Sequence, residues 1–76
     1  MDQRQRSTAS ELETMIESEL RQEGCETIRA SVEAQGDDGD WSANRIDEPG
    51  TSWECKHAFI HIVSRLQREY FFDYSD

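Results

Sequence analysis

The chain is short of basic residues, of proline and of long apolar stretches. It holds eight lysines and arginines against seventeen aspartates and glutamates in 76 residues, a formal net charge of −9. A surface of that sign repels phosphate backbones, which argues against direct nucleic-acid binding. It repels anionic lipid headgroups for the same reason. No apolar run approaches the ~20 residues a membrane-spanning helix requires. The opening Met1-Asp2-Gln3-Arg4-Gln5-Arg6 leads into no apolar stretch of signal-peptide type, so the sequence predicts a cytoplasmic chain. In a reducing compartment its two cysteines, Cys25 and Cys55, are expected as nearby but unbonded thiols. Glycine-rich phosphate loops and nucleophile elbows are both missing, so the expectation is a protein without enzymatic activity or cofactor.

What is present is enough for one small domain. A chain of this length buries only ~60% of its unfolded surface, so its core is thin. The hydrophobic fraction of 34% is low, yet these residues recur with regular periods instead of being scattered, which is the pattern of a folded chain. The acids crowd toward the N-terminal side: residues 1–50 hold thirteen of them and five arginines, whereas residues 51–76 hold four with Lys56, Arg65 and Arg68. Basic protein surfaces are the partners such a charge favours.

Residues 1–7 are polar and aperiodic and are expected to form a disordered tail, with the single domain over 8–76. Two capping boxes are possible next, Thr8 with Glu11 and Ser10 with Glu13. Leu12, Met15, Ile16 and Leu20 then fall on one helical face, and Gly24 can end the helix in the left-handed conformation, which predicts a helix over 9–23. Strict alternation follows, with Ile28, Ala30, Val32 and Ala34 on one side and Thr27, Arg29, Ser31 and Glu33 on the other. This is a half-buried strand. The cluster Gly36-Asp37-Asp38-Gly39-Asp40 turns the chain into a return strand over 41–46 with Trp41 and Ala43 inward. Ile46 is out of phase with that pair and calls for a bulge or an early strand end.

A third capping box, Thr51 with Glu54, opens a second helix of about twenty residues. Cys55, Phe59, Ile62, Val63, Leu66 and Tyr70 lie within about 60° of one direction on it. The predicted fold is therefore a two-layer α+β domain of order α-β-β-α, with both helices on one face of an antiparallel hairpin. Residues 70–76 can either continue the helix or fold back on the sheet.

The chemistry-bearing residues give little. His57 and His61 stand four apart on the second helix, a spacing by which two imidazoles can share a metal. Cys55 diverges from them by roughly 120–160°, and two histidines do not complete a stable zinc site, so no metal is expected. The Asp37, Asp38, Asp40 cluster lacks calcium-loop register. What stands out is surplus apolar surface: Trp53 and Ile60 lie on a flank of the second helix beside His57 and Ser64, and the chain ends in Phe71, Phe72 and Tyr74. These seven residues are the expected partner-binding set, for another protein or for a second copy in a homodimer. The expected function is that of a small acidic interaction or regulatory protein. The alternative is a decoy whose carboxylates imitate a nucleic-acid backbone and occupy a nucleic-acid-binding protein.

Overall fold

A computed structural model describes residues 5–74. Six elements follow in order: β1 (Gln5–Ser7), α1 (Ala9–Gln22), β2 (Ile28–Ala34), β3 (Trp41–Asp47), α2 (Trp53–Glu69) and β4 (Tyr70–Phe72). The α+β class and the α-β-β-α centre are as the periodicities predict. Two short strands are added outside it. Gln5–Ser7, expected within a disordered tail, instead pair in parallel with Tyr70–Phe72. The rest of that expected tail, residues 1–4, lies outside the described residues.

Helix α1 starts where its capping box places it. Thr8 accepts from the Glu11 backbone N–H and the Glu11 carboxylate accepts from the Thr8 N–H, at 3.2 and 2.9 Å. Ser10 and Glu13 form no second box, because Glu13 reaches across to β2. The helix ends at Gly24, whose φ of 80° lets Cys25 N–H donate back to the Leu20 carbonyl at 2.8 Å. Helix α2 begins one residue later than its expected box. Ser52 caps it by accepting from Cys55 N–H, while the Thr51 hydroxyl donates to the Glu48 carbonyl. It runs 17 residues and stops at Glu69.

Strands β2 and β3 pair antiparallel without interruption from Ile28↔Asp47 to Ala34↔Trp41. The bulge or early end expected at Ile46 does not occur. The strand keeps its register, and Ile46 faces solvent opposite Arg29, 57% exposed. Both helices cover the other face. Leu12, Ile16 and Leu20 from α1 meet Ile28, Ala30, Val32 and Trp41 from the hairpin and Phe59, Ile62, Val63 and Leu66 from α2 in one core. Arg65 of α2 bonds to Glu19 of α1 and so ties the helices at the surface. That hydrogen bond, with the charge of Glu19 and Glu69 behind it, raises the affinity of the Arg65 guanidinium for its proton.

The C-terminal aromatics fold back on the hairpin tip. Phe72 N–H donates to the Gly39 carbonyl at 2.8 Å, and Trp41 Nε1 donates to the Tyr70 carbonyl at 3.1 Å. The Tyr74 hydroxyl bridges the turn, donating to Gly36 O and accepting from Gly39 N–H. Gly39 has φ of 87°, and a Cβ there would stand 2.6 Å from Phe71 Cδ1. The turn therefore needs glycine both for its backbone and for the ring packed on it.

Phe59 is 4% exposed at the centre of this core. Phe59→Ala should cost about 3–5 kcal/mol, a large share of the stability of so small a domain. Urea denaturation of parent and variant measures it, and midpoints that coincide would contradict the core described.

Candidate functional site

Three surface regions hold the residues on which function can rest: the start of α2, its solvent flank, and the edges of the hairpin. At the first, Cys25 and Cys55 are joined in a disulfide, with Cα atoms 5.7 Å apart. The sequence placed the two residues at the same end of the molecule, and they are there. The expectation that they stay unbonded is overturned: the hairpin returns the chain to the start of β2, and the first turn of α2 presents Cys55 directly to it. Cys25 is buried and Cys55 partly so.

On the flank of α2, Trp53 and Ile60 are 70% and 54% exposed, with His57 also exposed and Ser64 partly buried. These four candidate residues form one surface. The indole of Trp53 sits edge-on to His57, with ring centroids 6.0 Å apart. The remaining candidates are elsewhere. Phe71 and Phe72 are half-buried in β4, and Tyr74 closes the hairpin turn at the far end of the molecule from Trp53. They belong to the folded-back tail, with Tyr74 still 47% exposed.

The edges of the hairpin differ from one another, a feature that periodicity alone did not reveal. The ladder hydrogen bonds at Gln35→Asp40 and Glu48→Thr27 set the alternation, so the backbone groups of Ile28, Ala30, Val32 and Ala34 point away from β3, and those of Trp41, Ala43, Arg45 and Asp47 point away from β2. On the β2 side two glutamates of α1 take up the two central outward donors. Glu17 accepts from Ala30 N–H at 3.1 Å and Glu13 from Val32 N–H at 2.8 Å. Glu13 and Glu17, which look like ordinary solvated acids in the helix pattern, thus guard an edge. Their i, i+4 spacing matches the two-residue step of outward donors on β2, and that is the signal the sequence carried.

Along β3 the guard is lighter. Gln67 Nε2 donates to the Trp41 carbonyl at 2.7 Å, and at the other end Lys56 lies 3.9 Å from Asp47. Among the described residues no strand pairs with this edge. Because Lys56 and Gln67 anchor α2 to the two ends of β3, the helix face between them, which carries Ile60 and Ser64, runs beside the open edge. Backbone donors and acceptors thus lie next to an apolar flank. That combination can receive an extended peptide, which gains main-chain bonds from the edge and side-chain contacts from the flank.

Among the described residues no group of three or more histidines, cysteines or acids is gathered as a metal centre, and no helix is long and apolar enough to cross a membrane. The chain matches no family model, no curated protein and no solved structure.

The disulfide closes a loop of about thirty residues, and cross-links of that span stabilise by roughly 3–4 kcal/mol in the chain-entropy account. Protein denatured without reductant should contain no titratable thiol, and reduction should lower the melting temperature by many degrees. Two free thiols in the unreduced protein, or an unchanged melting point after reduction, would contradict the bond.

Proposed function

We propose that the chain is a small, non-catalytic interaction protein that docks another protein, or a second copy of itself, along the outer edge of β3 and the adjoining flank of α2. The observation that carries this reading is the asymmetry of the hairpin edges. At the centre of one, Glu13 and Glu17 take up the donors of Ala30 and Val32, whereas the other carries side-chain contacts at its ends, Trp41 and Asp47, and its middle pairs with no strand among the described residues and lies beside Ile60. Exposed edges recruit strands unless they are protected, and aromatic anchors concentrate binding energy. The docking set is accordingly narrower than the seven residues expected from sequence: Trp53, His57, Ile60 and Ser64 with the β3 edge. Phe71, Phe72 and Tyr74 stand apart from this surface, on the tail folded over the hairpin turn.

The expectation of unbonded thiols followed from a cytoplasmic setting. With Cys25 and Cys55 bonded, our reading is an environment that keeps disulfides oxidised.

Salt separates docking from the decoy reading. Screening relieves the mutual repulsion of chains each carrying −9, so self-association should strengthen as salt rises. A carboxylate decoy on a basic partner should weaken instead. Sedimentation of the parent, of Trp53→Gln with Ile60→Gln, and of Arg45→Pro tests the surface. Proline at 45 removes an outward N–H and leaves the β2–β3 ladder bonds in place. Both variants should stay folded and lose association. A parent that is monomeric at every salt concentration would remove the self-association branch.

A further inference from the structure

We propose that His57 and His61 form a two-point chelate for a borderline divalent transition-metal ion, with Cu2+ and Ni2+ ahead of Zn2+. The site does not depend on the docking reading. Its basis is the convergence of two nitrogens. The imidazoles lie one helical turn apart with ring centroids at 4.4 Å, and their Nε2 atoms stand 2.9 Å from one another. Both side chains are on the exposed surface of α2, open to an ion from solvent.

The separation is that of a hydrogen bond between the rings, and a small turn of each ring that aims both lone pairs at one ion keeps it. Two nitrogens each ~2.0–2.1 Å from an ion and about 90° apart subtend about 2.9 Å, which is the cis arrangement of tetragonal Cu2+ and Ni2+ sites. A tetrahedral angle would need about 3.3 Å, so Zn2+ asks for a small opening of the pair. The Irving–Williams order pushes the same way, with Cu2+ the tightest binder on nitrogen donors.

In the neutral pair one Nε2–H donates to the other Nε2. Binding replaces that proton by the ion. The donor ring moves its proton from Nε2 to Nδ1, and no net proton is released. The helix fixes both rings on one face, so the second imidazole binds at high effective concentration once the first is engaged. Cys55 takes no part, since its sulfur is committed to Cys25. With only two protein donors, the other coordination positions belong to water. This is an exchangeable surface site and not a closed structural one. The overall charge of −9 attracts a cation to it.

Calorimetric titration of Ni2+ into the oxidised full chain, checked beforehand to hold no free thiol, tests the assignment. The parent should bind one ion, and His57→Gln and His61→Gln should each weaken it by about tenfold or more, because a chelate needs both rings. Circular dichroism should show both variants folded. Cu2+ should also quench the fluorescence of Trp53, which stands beside His57; the part of the quenching lost in Trp53→Phe should be missing from both histidine variants. Single variants that bind as the parent does would overturn the proposal. So would affinity that vanishes with Asp37→Asn, Asp38→Asn and Asp40→Asn, or no binding up to about 1 mM ion.

Discussion

Two hydrogen-bonded strands do not hold together in water without cover on one face, and this hairpin gets its cover from helices at both ends of the chain. Cys25 and Cys55 join the start of β2 to the first turn of α2. At the opposite end Gln67 and the Tyr70 carbonyl hold α2 and its exit to Trp41. Helix α2 is thus fixed across the hairpin at two points, which presses Phe59, Ile62, Val63 and Leu66 onto the sheet. Helix α1 closes the other half with three side chains that are fully buried, Leu12, Ile16 and Leu20. A core so thin has few apolar contacts to spare, and the cross-link offsets part of that deficit by restricting the unfolded chain.

The parts of the fold that were legible in sequence are those with a local period. The 3.6-residue stripe marked Leu12, Ile16 and Leu20, and the two-residue alternation marked Ile28, Ala30 and Val32, all of them buried. The pairing of β1 with β4 had no such signature. Gln5, Arg6 and Ser7 are polar, and their strand exists because Tyr70, Phe71 and Phe72 arrive beside them from the far end of the chain. Non-local pairing of three residues leaves no periodic trace. Ile46 was misread for a related reason: an apolar residue was assigned to the buried face, when isolated apolar residues on a solvated face are ordinary. The disulfide was the converse. Its geometry was visible in the hairpin return, and an argument from compartment outweighed it.

The candidate site was legible in half. Trp53, His57, Ile60 and Ser64 followed from helical phase, since anything well off the core direction of α2 must face outward. The β3 edge did not, because whether an edge is open depends on what the neighbouring helix does with its acids. Glu13 and Glu17 share the composition of Glu19 and Glu23, and only their position above β2 turns them into backbone acceptors.

That division of labour explains how a chain with an open strand edge can also carry so many acids. A carboxylate can satisfy an outward N–H, and it repels a second acidic chain at the same time, so Glu13 and Glu17 protect the centre of the β2 edge in both senses. On β3 the inward-facing charges are Arg45, Asp47 and the nearby Lys56, with Arg45 bonded to Asp47 at 3.0 Å. This local group holds two basic residues and one acid, within a chain whose net charge is strongly negative. The open edge is therefore the stretch of the hairpin least defended by like-charge repulsion. The surrounding field still disfavours acidic strands at a distance. On the docking reading proposed above, a partner at β3 would supply backbone hydrogen bonds, apolar contact for Ile60 and Trp53, and a net charge that the rest of the surface does not turn away, which together describe a basic or neutral extended segment.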